Sequence, residues 1–376
     1  HFVGIGGISM SGLAQILLES GYKVTGSDIN DSNLISKLRK NGAEVTIPHN
    51  PTIVETAELV VYTAAVKQDN CEIIRAKELG IPVIDRATFL GMIMKDYNYG
   101  IAIAGCHGKT TTTSMISIII KNADMDPTVL VGGEIEAIDG NVRVGKSEYF
   151  ITEACEYCES FLKFYPFVAV ILNIERDHLD YYKDLEHIIS AFKKFAKLVP
   201  ADGALVVCSD NENTLNVSKD VECKVLTYGI KNKADFFARK VKYDKLGHPS
   251  FEVMLRDKKL GTFSLNIPGE HNVLNALAAI AVAYNAGISM DTVKKSLKEF
   301  KGTYRRFDIK GVRNNITIVD DYAHHPTEIK ATLRAAKQFP HQKIWCVFQP
   351  HTYTRTKTLF KEFSEAFYDA DNVIIT

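Results

Sequence analysis

The stretch A-G-C-H-G-K-T-T-T-T, residues 104 to 113, joins a short apolar run to a segment with helical character. The run Ile101–Ala104 is predicted to form a strand, because it is short, apolar and preceded by a turn-rich segment. Glycines at positions 105 and 108 allow the backbone to wrap a phosphate, and the following helix N-terminus attracts negative charge. Lys109 can neutralise the β and γ oxygens of a nucleotide, and the Thr110 hydroxyl can bind Mg²⁺. The stretch therefore predicts a nucleotide-binding loop in an α/β fold.

The match to the phosphate-loop pattern G-x-x-x-x-G-K-[ST] is incomplete, since Ile103 stands where the first glycine belongs. The alternative is a structural turn with a solvated lysine. Three further threonines, at positions 111 to 113, are unusual at a helix start for such a turn. The pattern therefore favours nucleotide binding.

A hydroxyl beside a phosphate-binding lysine predicts carboxylates at the ends of neighbouring strands, because Mg²⁺ prefers oxygen ligands. Glu153 ends a short predicted strand, and His178 follows the strand predicted at Val168–Asn173, in N-I-E-R-D-H-L-D. A single histidine after a strand is commonly a hydrogen-bonded structural residue. Asp177 or Asp180 can supply the acid instead, so the residues alone leave this position open.

A second glycine-rich loop, G-I-G-G-I-S-M-S-G at residues 4 to 12, joins the first predicted strand to the first predicted helix. Ser9 replaces the third glycine of the dinucleotide pattern G-x-G-x-x-G. Asp28 closes the second strand about 20 residues on, where a ribose-binding acid belongs. The loop favours binding of a pyrophosphate, and the alternative is a tight turn without a ligand.

Composition limits the classes of function. The 376 residues are expected to form two or three domains. The 45 basic and 45 acidic residues cancel, so no general attraction to nucleic acid or anionic lipid is expected. No apolar run is long enough for a membrane span, which predicts a cytoplasmic protein.

The seven cysteines, including the C-x-x-C pair Cys155 and Cys158, are expected to be reduced thiols, because no second ligand pair completes a zinc site.

Short apolar runs alternate with helical patterns along the chain, which predicts an α/β fold with parallel sheets. Residues 235–267 alternate polar and apolar positions without helix signals and predict an antiparallel insertion. One continuous helix is predicted near the C-terminus, at Thr356–Phe367. A polar segment at 96–100 and a turn at Gly302 mark boundaries. The expected domains are residues 1–95, 96–302 and 303–376.

Longer motifs, taken together with the two glycine loops, resemble a known family. The two glycine loops, T-E-A-C-E-Y around Glu153, and P-G-E-H-N-V-L-N at 268–275 resemble the ATP-dependent Mur ligases of peptidoglycan synthesis, over nearly the whole chain. R-R-F-D at 305–308, D-D-Y-A-H-H-P-T-E-I at 320–329 and F-Q-P-H-T-Y-T-R-T at 348–356 are similar to the members that join L-alanine to UDP-N-acetylmuramate.

The resemblance implies a three-domain architecture. A Rossmann-like N-terminal domain binds the UDP-sugar, a central P-loop ATPase domain carries the antiparallel insertion, and a Rossmann-like C-terminal domain binds the amino acid. Such ligases continue for several more strands and helices, so the third domain is expected to be incomplete.

The resemblance also implies the ATP and metal sites. Lys109 holds ATP phosphates, Thr110 and Glu153 bind Mg²⁺, and His178 contributes to a second Mg²⁺ site. With Arg306, which reaches the phosphates from the third domain, Lys109, Glu153 and His178 are the expected catalytic residues. The expected ATP contacts are Gly105, Cys106, His107, Gly108, Lys109, Thr110, Thr111, His271, Asn272, Asn275, Arg306 and Asp321. His271, Asn272 and Asn275 match the adenine motif, with helix capping as the alternative for Asn272, and Asp321 matches the ribose-binding acid.

The two other substrates are assigned in the same way. The carboxylate of the amino acid is expected at Arg355, with Tyr322, His324, His325 and His351 nearby. Some relatives carry arginine where this chain has Thr352. The alternative for His324 and His325 is a helix-capping pair before Pro326. The residues expected to bind the UDP-sugar are Gly6, Gly7, Ser11, Asp28 and His49.

The implied reaction is ATP-dependent ligation through an acyl phosphate. The nearest alternative is a recycling ligase that attaches a preformed tripeptide to the same UDP-sugar, and F-Q-P-H-T-Y-T-R-T argues against it. Two others are a binding protein that closes on ATP without catalysis and an NAD-dependent oxidoreductase, which leaves the second loop unexplained. The sequence leaves open which histidine is the general base, whether Lys193 is carbamoylated, and whether the protein is a monomer or a dimer.

Overall fold

The structure is a computed structural model and describes residues 1–135, 138 and 140–376. The chain divides into two units. The first comprises residues 1–100, 126–152 and 163–165, and the second comprises residues 101–125, 153–162 and 166–376. No helix in the described ranges has the length and apolar character of a membrane span. The domain boundaries at 95/96 and 302/303 stay a prediction.

The N-terminal part of the first unit alternates strands and helices, as predicted. Its strands are β1 (Phe2–Val3), β2 (Thr25–Ser27), β3 (Glu44–Thr46), β4 (Val60–Tyr62) and β5 (Val83–Asp85), and its helices are α1 (Ile8–Glu19), α2 (Asn33–Lys40), α3 (Cys71–Glu78) and α4 (Arg86–Met94), with a 3-10 helix at Pro51–Thr56. The five strands form a parallel sheet in the order β3-β2-β1-β4-β5. This is the strand order of doubly wound nucleotide-binding sheets.

The turn after β1 depends on glycine. Gly4 has φ 83°, a left-handed conformation that side chains disfavour, and a Cβ atom there would lie 2.7 Å from the Thr63 methyl group. The turn leads at once into α1, whose N-cap is Gly7. The first glycine loop therefore joins β1 to α1, as predicted, and lies at the carboxyl edge of the sheet.

The middle of the chain continues the alternation. Its elements are β6 (Tyr99–Ala104), α5 (Lys109–Asn122), β7 (Thr128–Ile135), β8 (Gly140–Arg143), β9 (Tyr149–Glu153), β10 (Val168–Ile171), α6 (Leu185–Ala196), β11 (Ala204–Cys208), α7 (Glu212–Val217), β12 (Lys224–Gly229), β13 (Phe236–Tyr243), β14 (Pro249–Leu255), β15 (Lys258–Ser264), α8 (Glu270–Asn285) and α9 (Met290–Glu299). Within the first unit, β7 pairs with β8 and β9, and α1 packs on β7 and β8.

The second unit is built on a sheet whose parallel strands run in the order β12-β11-β10-β6. Beyond β12, strands β13, β14 and β15 add two antiparallel pairs, which confirms the predicted insertion. Because β6 and β10 are parallel neighbours, with Ala104 opposite Ile171, the loops after them lie side by side. The buried apolar helix α8 packs against α5 and β11.

In the C-terminal part of the second unit, strands and helices alternate less regularly. Its elements are β16 (Asp308–Arg313), β17 (Ile316–Asp320), α10 (Pro326–Ala336), β18 (Trp345–Phe348), α11 (Tyr353–Thr358), α12 (Phe360–Ser364) and β19 (Asn372–Ile375). The prediction of one helix at Thr356–Phe367 is wrong, because two short helices meet at Leu359 (φ −104°, ψ 25°). Leu359 is 3% exposed and packs in a core cluster with Ile329, Leu333 and Phe348, so burial of this side chain outweighs helix continuity.

Candidate active site

The phosphate loop leaves β6 and begins α5. Gly105 has φ 136°, and Gly108, the N-cap of α5, has φ 84°. A Cβ atom on Gly108 would lie 2.6 Å from Asn275 Oδ1, and one on Gly105 would lie 3.0 Å from Leu172 Cβ. Both glycines are therefore needed for conformation and for the close approach of α8 and the loop after β10.

Lys109 makes a buried ion pair. Its Nζ atom donates to Glu156 Oε2 at 2.9 Å, to Glu156 Oε1 at 3.2 Å and to the Gly105 carbonyl oxygen at 2.5 Å. The Glu156 side chain is only 2% exposed. Burial opposes the charge on the ammonium group, but the attraction of Glu156 outweighs it and raises the pKa of Lys109 above its ordinary value. Lys109 is therefore a fixed positive charge.

The predicted metal-binding residues surround this ion pair. The Thr110 hydroxyl donates to Glu153 Oε2 at 3.2 Å. His178 Nε2 lies 3.6 Å from Glu156 Oε1, and the His178 ring lies 4.8 Å from that of Tyr157. His178 has φ 51°, a strained conformation typical of functional positions. Glu156 was missed in the sequence, where only its place as the second acid of T-E-A-C-E-Y pointed to it.

A cavity of about 370 Å³ opens beside the loop. Of the residues predicted to bind ATP, those that line it are His107, Gly108, Thr111, His271, Asn272, Asn275, Arg306 and Asp321. Gly105, Cys106, Lys109 and Thr110 are not among its lining residues. Asn275 Nδ2 donates to Asn272 Oδ1 at 3.1 Å, and Asn272 Nδ2 donates to the Pro268 carbonyl oxygen at 2.7 Å. The N-cap of α8 is Gly269, so the capping alternative for Asn272 is not what the structure shows.

His107 connects the phosphate loop to α10. Its Nε2 atom lies 3.4 Å from Glu175 Oε2, and its Nδ1 atom lies 3.2 Å from Glu328 Oε1. Burial lowers the pKa of His107, but the two carboxylates more than compensate and raise it to about 9. Glu328 Oε1 also lies 3.5 Å from Arg306 Nη1. Glu175 and Glu328, neither proposed from the sequence, thus hold two predicted ATP-binding residues.

A second cavity, of about 400 Å³, contains most of the residues predicted to bind the amino acid. Tyr322, His324, His351 and Arg355 line it, together with Asp177, His178, Tyr157 and others. Arg355 Nε donates to Asp177 Oδ1 at 3.0 Å. Burial raises the pKa of Asp177, but His178 and Arg355 outweigh it and lower the pKa to about 2. The cavity therefore contains a charged aspartate and a guanidinium held together.

The two neighbouring histidines have different positions. His325 is the N-cap of α10, with a capping box to Glu328, and is not among the residues lining this cavity. Its Nδ1 accepts the Thr327 N–H at 3.2 Å, so Nε2 carries the proton and donates to the Arg176 carbonyl oxygen at 3.1 Å. The structure thus shows the alternative, a helix cap, for His325, and its place beside the amino acid stays a prediction.

His324 keeps one nitrogen available. Its Nδ1 lies 2.8 Å from the Tyr322 carbonyl oxygen, which can only accept, so Nδ1 carries a proton. Burial lowers the pKa of His324, which favours the neutral ring. Neutral His324 then has its lone pair on Nε2.

His107, Glu175 and His325 form a group whose ligand atoms all lie within 4.8 Å of one another. Such a group can hold a metal ion only if each ligand offers a lone pair. The raised pKa of His107 keeps its ring protonated near neutral pH, and both nitrogens of His325 are engaged. As the structure shows it, the cluster is an ion-paired junction between the loop and α10.

The residues predicted to bind the UDP-sugar lie in the first unit. Gly6 N–H donates to Asp28 Oδ2 at 2.8 Å, which brings the glycine loop and the predicted ribose acid together. His49 Nδ1 lies 2.7 Å from Ser27 Oγ and 3.2 Å from Glu72 Oε2. Ser11 is buried, and its hydroxyl donates to the Ile8 carbonyl oxygen at 2.9 Å. Gly7 is the N-cap of α1.

Comparison with known proteins identifies the class. The family model described as the Mur ligase family catalytic domain matches residues 1–98, the Mur ligase middle domain matches residues 103–283, and the Mur ligase glutamate ligase domain matches residues 305–376. The chain belongs to the Mur ligase family and has its three-domain α/β architecture.

Within the family, the similar curated proteins share one printed name. The chain is 60% identical over 376 residues to the UDP-N-acetylmuramate–L-alanine ligase of Caldanaerobacter subterraneus subsp. tengcongensis, covering 100% of this chain and 82% of that protein. It is 57% identical to the enzyme of the same name from Alkaliphilus metalliredigens, with the same coverage.

Comparison with solved structures also places the chain among these ligases. The UDP-N-acetylmuramate-alanine ligase of Thermotoga maritima matches with a TM-score of 0.85 and 33% identity, covering 100% of this chain and 84% of that one. A murein peptide ligase from Psychrobacter arcticus matches with a TM-score of 0.80 and 28% identity over the same fractions. Both the TM-score and the sequence identity are thus higher for the alanine ligase than for the murein peptide ligase.

Proposed function

We propose that this chain ligates L-alanine to the carboxylate of UDP-N-acetylmuramate with conversion of ATP to ADP and phosphate, a step of peptidoglycan precursor synthesis. The observation that carries the proposal is that one short segment lines both cavities. Glu175 lines the cavity beside the phosphate loop, and Asp177 and His178 line the cavity that contains Arg355. Since consecutive Cα atoms are about 3.8 Å apart, the Cα atoms of Glu175 and His178 lie within about 11 Å of each other, so the two cavities are neighbours.

The oxygen atoms beside Lys109 fit a magnesium ion. Neighbouring ligands of an octahedral Mg²⁺ at about 2.1 Å lie about 3 Å apart, close to the 3.2 Å between Thr110 Oγ1 and Glu153 Oε2. We assign these two residues to one Mg²⁺ and His178 to a second. Bound there, the ions would neutralise phosphate charge.

Lys109 has the central role in activation. A carboxylate is a poor acyl donor, because its leaving group would be oxide. The carboxylate oxygen of UDP-N-acetylmuramate attacks the γ-phosphorus of ATP, ADP leaves, and an acyl phosphate forms. Two anions must approach each other in this step, and the buried ammonium group of Lys109, with Arg306, reduces their repulsion.

His324 is the proposed general base for the second step. The amine of alanine attacks the acyl carbon, gives up a proton, and phosphate leaves. A base must be neutral with a free lone pair, and His324 Nε2 meets both conditions, whereas His325 does not. His351 also lines the cavity, so this assignment needs His324→Gln and His351→Gln to be compared, with the larger loss of kcat expected for His324→Gln.

The direct test is ADP formation with ATP, Mg²⁺, UDP-N-acetylmuramate and a panel of amine substrates. We expect a rate that requires L-alanine and exceeds the rates with glycine, L-serine and the preformed tripeptide. Turnover with the tripeptide but not with free L-alanine would establish the recycling activity instead. Nucleotide binding without ADP formation under any condition would indicate a binding protein.

Two further assignments belong to this proposal. The substrates UDP-N-acetylmuramate, L-alanine and ATP are small molecules of the cytoplasm, which is where we place the protein. Its oligomeric state, monomer or dimer, is to be measured by light scattering.

A further inference from the structure

Asp177 occupies a position between two parts of the candidate active site. Its Oδ1 atom accepts from Arg355 Nε at 3.0 Å and from the backbone N–H of His178 at 2.8 Å. The side chains of Asp177 and Arg355 are 5% and 10% exposed, so water does not compete freely for this ion pair.

The contact through Nε leaves the rest of the guanidinium available. Among the described residues, the hydrogen bond of the Arg355 side chain comes from Nε, and none comes from Nη1 or Nη2. The guanidinium is planar, and its donors form a fixed fork that suits a carboxylate. Holding Nε therefore fixes the plane of the group while its terminal nitrogens stay free for a second carboxylate in the cavity.

We propose that Asp177 is the positioning residue that orients Arg355 to bind the carboxylate of the amino acid. The inference rests on the proposed function, in which Arg355 binds that carboxylate. Because Asp177 is also hydrogen-bonded to the backbone of His178, it sets the place of the amino acid relative to the phosphate site. An alternative role, direct binding of the substrate's ammonium group by Asp177, makes a different prediction.

The test is the variant Asp177→Asn, with ADP formation measured against the concentration of L-alanine and of L-alaninamide, which has the amine but no carboxylate. We expect the KM for L-alanine to rise about 10- to 100-fold, as for a misplaced substrate-binding group. The KM for L-alaninamide, and those for ATP and UDP-N-acetylmuramate, should stay within about two-fold of wild type.

The chain offers a matched control. Arg256 Nε donates to Asp235 Oδ1, also at 3.0 Å, and neither residue lines either cavity. Asp235→Asn removes the negative charge from the same kind of contact and should leave the KM for L-alanine unchanged. Melting temperatures of both variants report folding. If Asp177→Asn does not fold, Asp177→Glu keeps the charge, shifts the guanidinium and should still raise the KM for L-alanine selectively.

Three results would overturn the inference. Equal losses with L-alanine and L-alaninamide would mean that Asp177 acts on the amine or on the fold as a whole. An unchanged KM for L-alanine would mean that Arg355 needs no such partner. Additive effects of Asp177→Asn and Arg355→Lys in the double variant would show that the two residues act independently. A wild-type protein without L-alanine-dependent ADP formation would instead reject the proposed function itself.

Discussion

The two glycine loops use the same backbone device with different side chains. Each leaves a parallel strand, turns at a glycine with positive φ and begins a helix. In the first loop, Gly6 N–H donates to the carboxylate of Asp28. In the second loop, Lys109 forms a buried ion pair with Glu156, and His107 lies between Glu175 and Glu328. The backbone of either loop suits a phosphate. In the first loop the nearby cation comes from outside the loop, since Arg86 Nη1 donates to Ser9 Oγ at 3.0 Å, whereas the second loop carries its own buried cation, Lys109.

This difference separates binding from catalysis. Backbone N–H groups and an aspartate can orient a nucleotide-sugar, but they add no cation where two anions must meet. A buried ammonium group can favour the transition state over the ground state. We therefore expect changes in the first loop to alter substrate affinity and changes in the second loop to alter turnover.

The largest effect is expected from Lys109→Ala, with kcat reduced about 100- to 1000-fold, because a charge contact to the transition state is lost. The measurement is the initial rate of ADP formation at saturating substrates. Lys109→Ala also leaves Glu156 buried without its partner, which destabilises the protein. The double variant Lys109→Ala/Glu156→Gln should recover the melting temperature but not the rate, and the exposed Lys219→Ala serves as control. If Lys109→Ala ligated at the wild-type rate, the positive charge of the second loop would not be needed for turnover, and the contrast between the two loops would fail.

The next effect is expected from Gly108→Ala, with the KM for ATP raised about 10- to 100-fold. Its φ of 84° disfavours a side chain, and a Cβ atom would lie 2.6 Å from Asn275 Oδ1. Gly4→Ala, with φ 83° and a Cβ atom 2.7 Å from Thr63, is the counterpart in the first loop. Gly4→Ala should raise the KM for the UDP-sugar and leave the KM for ATP unchanged. If both variants affected both substrates equally, the loops would not have separate ligands.

A smaller effect, about 10-fold on the KM for UDP-N-acetylmuramate, is expected from Asp28→Asn. The change weakens the hydrogen bond from Gly6 N–H and removes a charged acceptor. Steady-state kinetics should show kcat within about two-fold of wild type. Asp31→Asn, an exposed aspartate in the same turn, is the control. A fall in kcat without a change in KM would contradict a binding role for this loop.

The smallest effect concerns pH and His107. Its pKa is raised to about 9 from an ordinary 6.5, so the stabilisation is fully present below pH 6.5 and is lost as pH rises through about 9. His107→Gln should lower the melting temperature by roughly a few degrees at pH 6, and the difference should shrink toward pH 9. The exposed His341→Gln should not reproduce this trend. A difference that grows with pH would show that His107 is neutral in the folded protein.

Much of the site was predictable because it depends on local sequence. Lys109, Thr110 and the glycines at 105 and 108 occur in one stretch, and their roles follow from the loop they form. Glu153 could be proposed because it ends a strand, whereas the residues alone left His178 open and only the family resemblance favoured it. Glu156, Glu175 and Glu328 could not, since each becomes significant only through a contact with a residue distant in the sequence.

The sequence by itself determined the alternation of strands and helices over most of the chain, the positions of both glycine turns and the family, because periodicity and glycine placement act over a few residues. The tertiary structure alone decided which charges meet. It paired Lys109 with Glu156 and Arg355 with Asp177, and it made His325 a helix cap while leaving His324 beside the cavity. The reason is that electrostatic pairing depends on distance and burial, which arise only when separate segments pack together.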